Sequence, residues 1–511
     1  MGSFYVENFG CRATQADGAA IEEQLRAQGL RRASTLGQAE IVVLNTCTVT
    51  AAADRDARAA IRRISRDHPQ CRILVTGCYA QRAPEELAAL PGVTWVIGNS
   101  HKHRLAQIAV PASRNPAFCG DGANPASAVE GNGNAISVVP RDALLSRCLE
   151  PESSGEKSSQ GFVPLTVLQT ENRQLGAENW ELRTDSRIFV SDIFAHTELL
   201  AAPVFDGANE RTRPNLKVQD GCDNRCSFCV IPYVRGQSRS LSLEEVIRQV
   251  NGLVQAGYRE VVISGINLGR WGRDLPIALD PLRRGNGNKR DSFVALIRTI
   301  LAETSLEKLR ISSVEPMDWS DQLIGLVANS PRIAKHAHVP MQSGSDAVLR
   351  RMHRKYRPWH YREKIEKIRA AMPTAAIGTD VMVGFPGETD AQFEETRQMV
   401  EELPFTYLHV FTYSPRPGTP AASAANQVPV RLARERNHIL RELAADKKVA
   451  FMRSFIGRTV EAITLNVFDS ECSEALTDNY LKLHLKGRHE ANHWLSVRVE
   501  EVKNGALLGS L

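Results

Sequence analysis

Short apolar runs alternate with amphipathic stretches over residues 3–110. Ser3–Phe9, Ile41–Leu44, Ile73–Thr76 and Val93–Gly98 read as strands, while Gln15–Gln28, ending at Gly29, and the Ala/Arg-rich Ala51–Arg66 carry helical periodicity. Strands separated by helices of that length predict a parallel sheet covered on both faces. The alternation returns from Leu216 to Ser414, with strands predicted in VVISGIN (261–267), LRISSVEP (309–316), HAHVPM (336–341), IGTDVMVG (377–384) and LHVFTYSP (408–415). Helices such as Leu243–Ala256 and His360–Ala371 fall between them. This is the pattern of a (βα) barrel, whose ligands meet the carboxyl ends of the strands. Residues 430–458 read as one more helix. Beyond it TVEAITL, NYLKLHL and WLSVRVEEV alternate with period two, which predicts a small β-barrel.

The periodicity fails in two places. Pro111–Gly133 is rich in Pro, Gly, Asn, Ala and Ser, and Pro151–Gly161 is polar. Such composition buries too little apolar surface to offset its ordering entropy, so residues 111–185 are expected to be a disordered insertion or linker, with order resuming near Ile188–Phe194. Gly285–Arg290 reads as a loop insertion within the barrel. The expected fold class is therefore α/β: an N-terminal parallel-sheet domain (1–110), the insertion (111–185), a central incomplete (βα) barrel (208–445) and a C-terminal small β-barrel (456–511).

Composition adds little until the cysteines are counted. The 511 residues suffice for about three domains, and 42% hydrophobic with 24% charged residues excludes fibrous and wholly disordered chains. No run approaches the roughly 18 apolar residues of a membrane span, and MGSFYVENFGC lacks a basic segment followed by an apolar run. A cytoplasmic protein with no membrane partner is expected. The net charge of +5 is compatible with RNA but does not argue for it. In a reducing cytosol the ten cysteines read as metal ligands or reactive thiols rather than disulfides.

Cys222, Cys226 and Cys229 form a C-x3-C-x2-C run in DGCDNRCSFCVIP, directly after the first barrel strand. Three thiolates on one loop do not complete a closed tetrahedral zinc site, whereas a [4Fe–4S] cluster with three protein ligands leaves one iron open. A zinc knuckle is the alternative. The run resembles the radical S-adenosylmethionine (SAM) signature, including an aromatic residue, Phe228, before the last cysteine. Cys11, Cys47 and Cys78 follow the first three strands of the N-terminal domain, 36 and 31 residues apart. Each separation is one βα unit, so all three are expected at the carboxyl edge of one parallel sheet, where a second three-ligand cluster can sit. Any one alone would read as a small buried hydrophobe. Cys71, at the opposite end of its strand, and Cys119, Cys148 and Cys472 are expected to be structural.

Taken together, the Cys11/Cys47/Cys78 domain, the C-x3-C-x2-C barrel and the β-barrel tail resemble the methylthiotransferase family of radical-SAM enzymes. RTRPNLKVQDGCDNRCSFCVIPYVRGQSRS (211–240), HVPMQSGSDAVLRRMHRKY (338–356) and GTDVMVGFPGETDAQFEET (378–396) carry the likeness further. The resemblance implies a cluster-binding N-terminal domain, an incomplete (βα)6-type barrel and a TRAM-like domain that contacts RNA. It also implies two [4Fe–4S] clusters and SAM as cofactors, a tRNA anticodon loop as substrate, an electron donor such as flavodoxin or ferredoxin, and a monomer. NTCTVT (45–50) is the form found in members acting on N6-threonylcarbamoyladenosine at tRNA position 37. Relatives acting on isopentenyladenosine carry NTCS, and those acting on a ribosomal-protein aspartate carry NTCG. One SAM would give the 5′-deoxyadenosyl radical that takes the C2 hydrogen, and another the methyl group. The rival from a different class, a non-catalytic iron–sulfur carrier or RNA-binding module, has no use for a whole barrel behind the three-cysteine loop.

By motif position the resemblance places SAM contacts at Gly265, Asn267, Ser313, Glu315, Gln342, Asp380 and Val383; strand-end capping or turn formation is the alternative role for each. The family has Asn three residues after the first cysteine where this chain has Thr14, leaving Gln15 and Asn45 as hydrogen-bonding candidates there. The tail from Arg458 onward has 6 Lys/Arg against 8 Asp/Glu, not a basic platform. RNA contact is expected instead from residues 430–458, with 8 Lys/Arg against 3 acidic residues, and from Arg350–Arg369, with 9 against 2. The alternative for each run is a solvated helix face.

Overall fold

Six short strands, β1 (Ser3–Asn8), β2 (Arg31–Arg32), β3 (Ile41–Thr46), β4 (Arg72–Gly77), β5 (Val93–Gly98) and β6 (Ile188–Phe189), make one parallel sheet in the order β2-β1-β3-β4-β5-β6. Both faces are covered, as an all-parallel sheet requires. Ile41 and Val43 of β3 pack with Ile21 and Leu25 of the helix Arg12–Ala27. Val42 and Leu44 pack with Ala57, Ile61 and Ile64 of the helix Ala51–Asp67 on the other side. The two-residue β6 is supplied from beyond the insertion, too short to show any periodicity in the sequence. The computed structural model describes residues 2–110, 187–196, 199, 212–275, 292–468 and 471–511. The expected insertion, with Cys119 and Cys148, and the loop at Gly285–Arg290 lie outside the described residues.

The central domain holds β7 (Asn215–Asp220), β8 (Arg239–Ser240), β9 (Glu260–Gly265), β10 (Lys308–Ile311), β11 (His336–His338), β12 (Ala376–Val383) and β13 (Tyr407–Thr412). Two sheets, β10-β9-β7-β8 and β11-β12-β13, are joined by bridges Leu309↔Ile333 and Ser313↔His338. The six parallel strands thus run β7-β9-β10-β11-β12-β13 and leave an open side between β13 and β7, where β8 pairs antiparallel with β7. The strands expected over 309–316 and 336–341 are shorter than the pattern implied. Pro316 and Pro340 cannot donate to a ladder, and the N–H groups of Met341 and Gln342 instead both reach the Asp380 carbonyl oxygen.

Alternation decides what the barrel encloses. Leu216, Val218, Val261, Ile263, Leu309, Ile311, Ala337, Val381 and Val383 belong to the apolar layer under the surrounding helices. The intervening positions, among them Asn215, Lys217, Gln219, Ser264, Arg310, His336, His338, Asp380, Tyr407 and His409, lie on the inner face. A lumen lined by polar groups is a site rather than a packed core.

The helix Val430–Arg453 packs along β13 and leads into a closed barrel of β14 (Thr459–Phe468), β15 (Cys472–Thr477), β16 (Lys482–Lys486), β17 (Trp494–Lys503) and β18 (Ala506–Ser510), ordered β14-β15-β16-β18-β17. Ala462, Ala475, Leu483, Leu485, Val497, Val499 and Leu507 fill it, with Met452 and Phe455 of the preceding segment packed against them. Arg310 ties the two barrels together by donating to the carbonyls of Asp478 at 3.2 Å and Thr477 at 3.4 Å.

Candidate functional site

Three cysteines stand at the carboxyl edge of the N-terminal sheet. Cys47 and Cys78 follow β3 and β4 directly, and Cys11 lies three residues past β1, at the start of the helix Arg12–Ala27. Gly10 and Gly77, just before Cys11 and Cys78, have φ of +98° and +99°. A Cβ at Gly10 would lie 2.8 Å from the Cys47 sulfur, so only glycine lets the two segments approach this closely. Burial, aided by repulsion from Cys78, pushes the Cys47 thiol up to about 12. Thr14 Oγ1 lies 3.6 Å from Cys11 Sγ, and Asn99 Nδ2 donates to Cys78 Sγ at 3.6 Å. Thr14 therefore reaches the sulfur itself, while Asn45 braces it from behind by donating to the Thr14 carbonyl at 2.7 Å.

Cys222, Cys226 and Cys229 occupy the loop after β7. The backbone N–H of Asn224 (3.4 Å) and Nδ2 of Asn267 (3.6 Å) donate to Cys222 Sγ, and Arg354 Nη1 donates to Cys226 Sγ at 3.4 Å. Burial and repulsion from Cys226 raise the Cys229 thiol to about 12. All eight described cysteines are free thiols.

Between the two triads lies a buried charge network. Asp17 accepts from Lys102 (2.9 Å), from Arg235 (3.0 Å) and from Lys217, while Asp220 accepts from Lys217 (2.9 Å) and Arg235 (3.0 Å). Burial alone would raise the Asp17 carboxyl, but Lys102, Lys217 and Arg235 hold it far below the ordinary carboxylate range. Three cations face two carboxylates. The surplus positive charge lies against Cys78 and Cys11, both within electrostatic reach of Arg235. None of these charged residues stands out in the sequence; each is functional only through contacts that cross from one domain to another.

The residues expected at SAM distribute unevenly. Asn267 touches Cys222, as above, and its buried Oδ1 has no partner among the described residues. Glu315 pairs with Arg354, which links it to Cys226, and both line a small cleft with Asn224 and Cys226. Gly265 closes β9 against Gln219, where a Cβ would lie 2.8 Å from its Oε1. Ser313 bridges to His338, and Gln342 crosses onto β12 with φ of +66°. Asp380 lies 3.4 Å from His338 Nε2. Val383 is fully buried in the core.

Comparison with known proteins agrees with this arrangement. Residues 3–98 match the model described as "Uncharacterized protein family UPF0004", and residues 216–400 match the radical SAM superfamily. The threonylcarbamoyladenosine tRNA methylthiotransferase MtaB of Bacillus subtilis is 32% identical, over 96% of this chain and 92% of its own length. The protein of the same name from Aquifex aeolicus is 31% identical, over 96% and 99%. The chain belongs to the radical-SAM methylthiotransferase family. The tRNA-2-methylthio-N(6)-dimethylallyladenosine synthase of Novosphingobium aromaticivorans, 30% identical over 90% of this chain and 86% of its own, is a relative with a different named product.

S-adenosylmethionine and [4Fe–4S] clusters are the cofactors of such a methylthiotransferase, and the residues present suit them. Three thiols with N–H donors aimed at sulfur are a cluster donor set, and a buried surplus of positive charge suits an anionic cluster better than neutral thiols. Sequence reasoning missed Arg354 by reading it as part of a basic surface. The structure corrects that reading for Arg354 and Arg369, while Arg350 and Arg362 stay at the surface in ion pairs. Arg354 is buried, Arg350 and Arg357 pair with Asp346, Arg362 pairs with Glu402, and Arg369 donates to the carbonyls of Pro373, Ala375 and Pro404. In the helix Val430–Arg453, Arg436 is likewise buried against Glu388 and Asp390. Arg441 and Lys448 line a cavity of about 370 Å³ with Tyr407, His409 and Tyr480.

Proposed function

We propose that this methylthiotransferase adds a methylthio group to C2 of N6-threonylcarbamoyladenosine 37 in tRNA. The observation that carries the reading is the presence, in one folded unit, of two three-thiol sites on either side of the Asp17–Lys217–Arg235 network. The substrate assignment is supported by NTCTVT at residues 45–50 and by the named products of the relatives.

Cys222, Cys226 and Cys229 would hold the [4Fe–4S] cluster that works with SAM, and Cys11, Cys47 and Cys78 the one that would supply sulfur. When bound, the clusters and SAM supply the one-electron and sulfur-transfer chemistry that an unactivated aromatic C–H bond demands. The protein's own residues do the rest. Asn267 and Arg354 donate to the sulfurs of Cys222 and Cys226 and so orient them. Glu315, held by Arg354 beside Cys226, would accept from the amino group of SAM, and Asn267 keeps an unpartnered acceptor, its Oδ1, next to Cys222. Gly265, Ser313 and Gln342 would shape the strand ends around that site, while Asp380 stands with His338 and Val383 packs in the core. Lys102 and Arg235 offset the charge gathered at Cys11 and Cys78.

The substrate base would be extruded from the anticodon loop into the barrel, as single-stranded RNA is usually read. The small barrel over 456–511 would hold the stem–loop as a TRAM-like domain. Flavodoxin or ferredoxin would supply electrons to a monomeric, cytoplasmic enzyme; no helix among the described residues is long and apolar enough to cross a membrane.

Mass spectrometry of tRNA nucleosides from a deletion strain tests the reading. Loss of 2-methylthio-N6-threonylcarbamoyladenosine, with its unmethylthiolated precursor accumulating, is the expected result. Retention of that nucleoside with loss of the isopentenyl counterpart would contradict it.

A further inference from the structure

We propose that Arg12 is the receptor for the carboxylate of the substrate's threonylcarbamoyl group, and so discriminates this substrate from one with an uncharged N6 substituent. The inference rests on the threonylcarbamoyladenosine reading above and adds the residue that enforces it.

Arg12 follows Cys11 directly. Its backbone carbonyl accepts from Asn215 Nδ2 at 3.1 Å, which anchors this turn to the first strand of the central barrel. The guanidinium extends the other way, its Nη2 donating to the Tyr480 hydroxyl of the C-terminal barrel at 3.2 Å. Three domains thus meet at one exposed arginine. Tyr480 sits in the turn between β15 and β16 with its ring 4.8 Å from that of His336 and 6.0 Å from Tyr407, and Arg310 stacks over it at 5.3 Å. The row continues along the inner face of the barrel through Tyr407, His338 and His409, with successive ring centroids 5.4–6.0 Å apart. Tyr407 stacks with His338 while these other pairs are tilted or edge-on, and aromatic and imidazole faces of this kind are what an extruded purine packs against.

Most charge along the row is committed; the cations left over are Arg12, which adjoins Cys11, and Arg441 and Lys448 on the far side of Tyr407 and His409. Glu260 holds Arg310 at 2.6 Å and Arg213 at 3.5 Å, and Asp380 faces His338. Burial, with Arg310 nearby, lowers the His336 pKa well below its ordinary value. Arg12 has no carboxylate partner among the described residues. It also borders a cavity of about 240 Å³ lined by Gln15, Arg213, Asn215 and the 465–467 segment of β14, room for a short polar side chain.

The ligand chemistry fits the position. The ureido N–H of a threonylcarbamoyl group bonds back to purine N1, which lays the threonine along the edge that also bears C2. A residue adjoining a cysteine of the sulfur-delivering triad is therefore on the correct edge to meet the threonine carboxylate, and a guanidinium pairs with carboxylate through two parallel N–H donors. A phosphate of the RNA backbone could use the same donors, so the test separates the two anions.

Full-length protein with both clusters reconstituted is titrated, without reductant, with three anticodon stem–loops: unmodified A37, threonylcarbamoyl-A37, and its carboxyl methyl ester. Wild type, Arg12→Gln and Arg12→Lys are compared. Wild type should bind the acid about tenfold more tightly than the ester, the scale of a hydrogen-bonded charge pair. Arg12→Gln should bind acid and ester alike, and Arg12→Lys should keep part of the preference. If Arg12→Gln retains the full preference, or weakens all three loops equally as loss of a phosphate contact would, the assignment is wrong. If wild type itself does not distinguish the acid from unmodified A37, the substrate reading falls and takes this assignment with it.

Discussion

An added Cβ at Gly77 would stand 2.2 Å from the Thr46 carbonyl oxygen, and the residue's φ of +99° is strained for any L side chain. The turn that aims Cys78 thus depends on that glycine. Gly77→Ala should cost the Cys11/Cys47/Cys78 site its cluster and spare the other, lowering bound iron by about half; unchanged iron would show that the turn tolerates the side chain. Arg354 is a second test. Replacing it with Met leaves Glu315 without its cation and Cys226 without its donor. Removal of one member of a buried pair costs about 3–5 kcal/mol, reduced here because Glu315 is 25% exposed; the denaturant midpoint should fall, and affinity for SAM with it. At this scale the cysteines were legible because their phase along the chain repeats. Arg354 was not, since a buried arginine and a solvated one look alike within a basic run.

At the scale of elements, the helix Arg12–Ala27 is attached to β7 through Asp17, whose side chain is 2% exposed. Asp17→Asn keeps the shape and removes the charge, leaving Lys102, Lys217 and Arg235 undercompensated. A loss of about 3–5 kcal/mol in unfolding free energy is expected, and a change near zero would mean that the interface is held by packing alone. Nearby, His196 stacks on His103 at 5.3 Å, and burial together with Arg239 lowers its pKa from 6.5 to about 4. Between those values the unfolded chain binds a proton that the folded protein does not, so stability should decline as pH drops from 6.5 toward 4. His196→Gln should flatten that limb in thermal melts; an unaltered slope would locate the titrating group elsewhere. Strand β3 was readable as a continuous apolar run because both its faces are covered. β6 was too short to show a period, while β15 and β18 carry polar or glycine residues at positions that only barrel closure makes apolar.

The whole molecule joins three domains whose functional residues face one another. The sequence showed each domain and both thiol triads separately. It did not show the network of Asp17, Lys102, Lys217, Asp220 and Arg235 that lies between them, because that network exists only once the helix Arg12–Ala27 docks against β7. The same docking brings Arg12 to Tyr480, across 468 residues of sequence. The central claim is that two independent clusters share this one body. It is tested most directly by iron and sulfide quantitation after anaerobic reconstitution of wild type and of two variants, one with Cys222, Cys226 and Cys229 and the other with Cys11, Cys47 and Cys78 replaced by alanine. The account predicts about eight irons in wild type and about four in each variant, as two cubane sites require. About four irons in wild type, falling to none in the first variant and unchanged in the second, would contradict it.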